Sequence, residues 1–387
     1  MLRFHLAEDT IDRDDIDRLV KWLETYPRLT KGELTLQFEA RWSSWLGLPH
    51  SVFCNSGSSA NLLMFAALKE SGRLRNSKVI VPSVGWATSV APAMQLGLEP
   101  VMCEADRETF ALDPDHLEEL LRAHQPSSVL LVHVLGVPAR MDRILELRSE
   151  HGFHLLEDAC AAIGAGYNGA YAGSFGDMSS FSFYFGHQMS TIEGGMVSTG
   201  NKEFFDLLLM LRSHGWSKDL DGETHGRLVR EHQIDDFHAP FVFYHPGFNL
   251  RSTDLNAFIG LGQLDKLDWI IERRRENHQR YLELLKPHLT FQITPEGGQS
   301  CSIHCGALAR DREQRRSIVR ALEKNGIETR IFSAGNLGLH PFWIKKYGPA
   351  SFPMADRIHN CGFFLPNHPS LKLEEVDEIC DVVTNAL

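Results

Sequence analysis

The chain has 387 residues, 43% hydrophobic and 23% charged, an ordinary globular balance that allows two or three domains and excludes a disordered or fibrous protein. Asp and Glu number 50 against 39 Lys and Arg, for a formal net charge of −11. With no long basic run, this argues against binding a nucleic-acid backbone or an anionic membrane.

Residues 1–10 carry acids where a secretory leader needs an apolar stretch. No window reaches the roughly 18 apolar residues of a membrane helix. Apolar β-branched runs at 51–54, 78–81, 128–134 and 153–156 read as short strands, and 61–70 and 115–123 carry apolar residues at helical spacing. This alternation predicts an α/β domain with a mostly parallel sheet covered on both faces, its ligand site lying beyond the carboxyl ends of the strands. Residues 254–285 read as one long helix with Glu272-Arg-Arg-Arg-Glu276 on a solvated face. After it, a strand at 300–309, a helix at 314–324, a strand at 327–332 and a helix at 373–383 predict a smaller α+β domain. The expected division is 1–248 for the large domain and 249–387 for the linking helix and small domain, with the Pro- and Gly-containing stretch 240–247 as the join. The seven cysteines, Cys54, Cys103, Cys160, Cys301, Cys305, Cys361 and Cys380, are odd in number and scattered, which fits reduced thiols and a cytoplasmic location. Cys301-Ser-Ile-His-Cys305 reads either as a metal pair or as a strand with inward-pointing thiols. No second pair follows it, and metal sites usually need one.

Three segments carry chemistry. Asn55-Ser-Gly-Ser-Ser-Ala60 lies between a strand and a helix. Free backbone N–H groups and the Ser58 and Ser59 hydroxyls make it either a phosphate site or a simple helix cap. Leu155-Leu-Glu-Asp158 puts carboxylates where an apolar strand ends. A buried acid there needs a partner, either a cation or helix N-terminus of the fold or a protonated ring nitrogen of a cofactor. Ser180-Phe-Ser-Phe-Tyr-Phe-Gly-His187 runs on through Gln-Met-Ser-Thr-Ile to Glu193-Gly-Gly195. Its histidine reads as structural or as a proton carrier.

Together these motifs resemble the sugar aminotransferases of fold type I, the DegT/DnrJ/EryC1-like pyridoxal-phosphate enzymes, nearly end to end from Leu6-Ala-Glu-Asp9 through Leu29-Thr-Lys-Gly-Glu33 to the last domain. The resemblance implies a cofactor phosphate at Gly57, Ser58 and Ser182, and a pyridine nitrogen paired with Asp158. It places Trp86, in Ser83-Val-Gly-Trp86, on the ring. It also implies a homodimer with shared sites, because Asn249 in Pro246-Gly-Phe-Asn249-Leu-Arg251 matches an asparagine that reaches the neighbouring subunit's phosphate.

The family carries a lysine six residues before the Glu of the Glu-Gly-Gly turn, and this chain has His187 there. Imidazole cannot hold the cofactor covalently as a primary amine does, but it can move protons near neutral pH. That swap resembles the lysine-less branch, the GDP-4-keto-6-deoxymannose 3-dehydratases and related CDP-sugar 3-dehydrases. Arg330-Ile-Phe-Ser-Ala-Gly-Asn336 and Asn360-Cys-Gly-Phe-Phe-Leu-Pro-Asn367-His368 are similar to the former. Residues 217–245 contain no cysteine, so the iron–sulfur cluster of the latter is not expected. The branch implies pyridoxal and pyridoxamine phosphate as cofactor forms, L-glutamate as amino donor and a nucleotide-linked 4-keto-6-deoxy sugar as substrate. His187 would act as catalytic base, giving a 3,6-dideoxy-4-keto sugar and ammonia. The competing expectation is an aminotransferase acting on a sugar ketone or aldehyde. His214, Arg251, Arg330 and Asn336 are candidate substrate contacts. Two departures stand out: Gln188 replaces a second histidine, and Ala161 replaces a Glu or Gln near the ring hydroxyl.

Overall fold

Short aliphatic runs bounded by polar turns form the strands of a computed structural model that describes residues 2–387. In chain order these are β1 (His50–Cys54), β2 (Lys78–Pro82), β3 (Glu99–Cys103), β4 (Ser128–Val132), β5 (His154–Asp158), β6 (Gly166–Tyr167), β7 (Ala170–Tyr171), β8 (Met178–Ser182) and β9 (Gly195–Thr199). Seven of them make the main sheet, in the order β1-β9-β8-β5-β4-β2-β3. All pairings are parallel except those of β9, which runs antiparallel to both neighbours. Alternate side chains feed opposite cores, as a strand's two-residue period requires. Val79, Val81, Leu130 and Leu156 pack with Leu63 and Leu208 on one face. Ile80, Val129, Leu131 and Leu155 pack with Leu117, Leu121, Ile144 and Leu147 on the other. Burial on both faces is what makes the parallel sheet stable.

The helix Asp254–Leu285 leads to a smaller antiparallel sheet, order β10-β12-β13, from β10 (Thr290–Phe291), β11 (Gly298–Gln299), β12 (Cys305–Leu308) and β13 (Gly362–Leu365). β11 pairs with β6 instead. The helices Arg312–Lys324 and Leu373–Thr384 cover this sheet through Ile318, Leu322, Val376 and Ile379. Phe4 joins the same core, and the amides of Arg3 and Phe4 donate to the Gly326 carbonyl at 2.7 and 3.1 Å. The first residues thus pack with the small domain, across the expected boundary at 248.

Three local expectations are corrected. The helix expected from 61 begins at Gly57, because the Ser56 hydroxyl caps it by accepting from the Ser59 amide. Residues 327–332 make isolated bridges, Ile327 to Phe4 and Ile331 to Phe363, and no continuous strand; Ser333 at φ 49° turns the chain away. On the long helix Glu272 and Glu276 are exposed as expected, but Arg274 between them is fully buried.

Arg212, also fully buried, ties the large domain together. It donates to Glu39 at 2.5 Å, to the Phe53 carbonyl at 2.8 Å and to Asp219 at 3.2 Å. Removing one member of such a network strands the rest in low dielectric. Arg212→Met should therefore lower unfolding stability by about 3 kcal/mol in a urea titration; a change under about 1 kcal/mol would show the network to be energetically idle.

Candidate active site

The carboxyl ends of β1, β2, β5 and β8 converge on one cavity of about 480 Å³ that brings together Gly57, Ser58, Trp86, Asp158, Ser182, His187 and Arg330. This is where an open parallel sheet leaves its crevice. β1 ends in the turn that starts the helix Gly57–Glu70, so the first amides of that helix point outward as anion donors. Gly57 tolerates no side chain: a Cβ there would lie 2.5 Å from the Ser182 Cβ and 2.9 Å from its hydroxyl. Gly195 is equally constrained, since its Cβ would meet the Ser56 carbonyl oxygen at 2.2 Å. The glycine pair that follows Glu193 therefore lets β9 pass directly under the turn. Ser58 donates to the Thr88 hydroxyl at 2.9 Å.

Asp158 sits at the end of β5, nearly buried. One carboxylate oxygen accepts from Asn61 Nδ2 at 2.9 Å and from the Ser89 hydroxyl at 2.6 Å. The other accepts from the Cys160 amide at 3.1 Å. Among the described residues no cation lies within ion-pair distance of it, so its charge faces the cavity uncompensated. Trp86, half exposed, caps the helix Ala87–Gln95. The Arg330 guanidinium lies 5.5 Å from its ring centre and 5.2 Å from that of Phe364, an arrangement of the cation–π kind. Burial lowers the Arg330 pKa from its ordinary value, although the guanidinium stays charged at neutral pH.

His187 lies in the loop between β8 and β9. Its amide donates to the Tyr184 carbonyl at 2.9 Å, its own carbonyl accepts from Arg274 at 2.9 Å, and its Nδ1 has no partner. Burial pushes its pKa down to about 4; Arg274 and Arg330 push the same way and Asp158 opposes them. A neutral imidazole with an unused nitrogen is competent to accept a proton. Gln188 points away from the cavity chemistry: its amide donates to the Ala161 and Cys301 carbonyls at 2.8 and 3.0 Å. The Gln188 and Ala161 departures thus meet in one backbone staple.

The remaining sequence candidates lie elsewhere. Asn336 is fully buried, and its side chain is consumed by Ala350, Asp356 and the Gly338 amide. The next residue ties the segment to the large domain, the Leu337 amide donating to the Ser83 carbonyl at 2.8 Å, and both ends of the Asn336 amide are already occupied. Asn249 and Arg251 are exposed, and Arg251 donates to Asn249 at 3.2 Å. Arg251 lines a separate cavity of about 180 Å³ with Arg28, Lys31 and Lys218. His214 is exposed, with φ 65°.

The site also holds residues that the sequence reading missed. Asn61 and Ser89 orient Asp158, and His304 lines the cavity beside Phe364, the ring centres 4.9 Å apart. The sequence signal for His304 is its place between Cys301 and Cys305, which are both buried free thiols, so that the histidine and not the cysteine pair is the functional group of that segment.

A small-residue turn opening a helix, a buried carboxylate without a cation and a half-exposed indole meet at the carboxyl end of an α/β sheet, and the chain belongs to the DegT/DnrJ/EryC1/StrS aminotransferase family, which matches residues 9–384. Among its relatives, the GDP-4-keto-6-deoxy-D-mannose 3-dehydratase of Yersinia pseudotuberculosis is 32% identical, with 99% of this chain and 98% of that protein covered. The solved structure of the Escherichia coli GDP-4-keto-6-deoxy-D-mannose-3-dehydratase with bound hydrated PLP superposes with a TM-score of 0.89 at 30% identity, covering 99% of this chain and all of that one. A further GDP-4-keto-6-deoxymannose-3-dehydratase structure, holding a trapped PLP-glutamate geminal diamine, gives 0.88 at 30% identity, with 98% of this chain and all of that one covered.

Proposed function

We propose that this chain is a pyridoxal/pyridoxamine-phosphate-dependent 3-dehydratase of a GDP-linked 4-keto-6-deoxyhexose, using L-glutamate as amino donor and releasing a 3,6-dideoxy-4-keto sugar and ammonia. The observation that carries the reading is His187, an imidazole lining the cavity where a family aminotransferase has its lysine. The substrate and donor are those named for the similar enzymes.

The residues present fit the cofactor. The Gly57 turn, which has room for no side chain, and Ser182 would hold the phosphate. Asp158, buried without a cation, would hold the proton on the ring nitrogen, and Trp86 would lie against the ring. When bound, pyridoxamine phosphate would supply an amine for the sugar's 4-keto carbon and a conjugated ring that takes up the electron pair freed at C4′ and passes it on to expel the 3-hydroxyl. His187, neutral and anchored through its backbone, would serve as the base for the proton on the cofactor's C4′ carbon and could return it to the departing hydroxyl. Arg330, which among the described residues has no carboxylate within ion-pair distance, would orient an anionic group of donor or sugar nucleotide. Asn249 and Arg251, exposed and outside their own chain's cavity, are read as completing the site of a second copy, so the working unit is a homodimer.

The test combines spectroscopy and product analysis. With pyridoxal phosphate and glutamate the protein should develop a pyridoxamine-type absorption, and GDP-4-keto-6-deoxymannose should then release one ammonia per sugar lacking its 3-hydroxyl. An amino sugar formed without free ammonia would replace this reading with transamination.

A further inference from the structure

The residue pattern Glu272-Arg-Arg-Arg-Glu276 hides an unusual group. Arg274 is 1% exposed, and among the described residues its guanidinium meets no carboxylate. It donates instead to three backbone carbonyls: Ile303 at 2.9 Å, Asn367, and His187 at 2.9 Å. A buried cation without an anion carries a large desolvation cost, and burial lowers even this arginine's pKa, to about 10. Three carbonyls could be joined without an uncancelled charge, so the charge itself needs an explanation, and it acts on His187, His304 and His368 and beside Cys301.

We infer that Arg274 is a positioning residue for His187: its guanidinium fixes the histidine's backbone against two small-domain segments and places a buried cation, with no carboxylate of its own, beside the base. The inference rests on the reading of His187 as the proton carrier. Each element around the imidazole brings a titratable or charged group to its surroundings. β5 brings Asp158, the long helix brings Arg274, the loop after 327 brings Arg330, and the segment before β12 brings His304, while its own loop adds Tyr184 and Glu193. Asp158 favours the imidazolium; the two guanidiniums oppose it. When the cofactor's ring nitrogen occupies the Asp158 carboxylate, Arg274 is the opposing charge that stays buried beside the histidine. The lysine-bearing relatives hold their cofactor by a bond; here a bond-free base depends on how firmly its loop is held, and Arg274 with the Gln188 staple supplies that hold.

The test reads the histidine itself. In the full-length chain without added cofactor, labelled with ¹³C-histidine, the His187 signal is identified by its loss in His187→Asn and titrated by NMR. Arg274→Met should raise its midpoint from about 4 by about one pH unit or more, as expected for losing one charge at close range. Arg274→Lys keeps the charge and should leave the midpoint nearly in place, while losing roughly tenfold in kcat because one compact ammonium cannot span the carbonyls that two separate guanidinium nitrogens reach. If Arg274→Met fails to fold, Arg274→Gln, neutral but still a donor, should show the same shift. A folded neutral variant whose His187 titrates as in the parent overturns the inference. The outcome is separable from the functional reading: a fully active His187→Asn enzyme defeats the base assignment, whereas the titration reports the influence of Arg274 either way.

Discussion

His187→Asn should cut turnover by about 10³-fold, within the usual contribution of a positioned general base, while cofactor retention and sugar-nucleotide binding change only a fewfold. The separation follows from where the loop is held. Arg274 grips the His187 carbonyl and the Tyr184 carbonyl takes its amide, so the substitution leaves every backbone bond intact. Gln188 keeps its staple to Ala161 and Cys301. Asparagine fills similar space and can donate a hydrogen bond, but it cannot take up a proton. The pH dependence has a definite sign. With its pKa pushed down to about 4 by burial and by two nearby guanidiniums, His187 is unprotonated through the neutral range, and activity is lost only as pH falls toward that value. The acid limb of kcat/KM should therefore lie below the ordinary histidine value of about 6.5. Steady-state kinetics from pH 4 to 8 check both statements. A mutant retaining a tenth of the parent rate would leave the proton to another group, with His304 the nearest candidate.

The large-domain architecture was legible because aliphatic strands buried on both faces announce themselves: β2, β4 and β5 were placed within two residues of their observed ends. β8 and β9 were not read as strands, because their buried serines look polar in sequence. Ser180 is satisfied by Asn61 at 2.7 Å, and Ser198 by Ser51 at 2.8 Å and Trp42 at 3.2 Å, partners that no local pattern reveals. The same reasoning separates the site residues. Asp158 and His187 stand in contiguous motifs, one ending a strand and one preceding a glycine turn. Asn61, Ser89, Arg274 and His304 reach the cavity or its wall from remote segments, and each resembles a surface or helix residue when read alone. Arg274 was placed on a solvated face because its two acidic neighbours are there; a helix turns 100° per residue, so a buried arginine two positions from an exposed glutamate breaks no local rule. Asn336 erred in the other direction, since a matching motif cannot show that both ends of an amide are already occupied.

Asp158 should show stability and activity moving in opposite directions. In the chain without cofactor its carboxylate accepts three hydrogen bonds but meets no cation, and an uncompensated buried charge is unfavourable. Asp158→Asn removes that charge while its amide oxygen can still accept from Asn61 or Ser89. The cofactor-free variant should therefore be about 1 kcal/mol more stable than the parent in chemical denaturation. With cofactor the sign reverses. In the proposed function the carboxylate then partners the ring nitrogen's proton, and such buried charge pairs couple by about 4 kcal/mol in favourable cases, which corresponds to roughly 10³-fold in rate if the coupling is lost where electrons flow into the ring. Turnover should fall by about that factor, and the gain in thermal stability on adding pyridoxal phosphate should shrink, because ligand stabilisation follows affinity. Asp158→Glu keeps the charge, but adds a methylene where Asn61, Ser89 and Cys160 already close around the group, so it should recover only part of the rate. A cofactor-free Asp158→Asn protein destabilised by more than about 2 kcal/mol would mean that Asn61 and Ser89 need the carboxylate to hold the fold. The crossed signs are the informative result: a residue that costs the empty protein stability and gives the loaded one its rate has been kept for its chemistry.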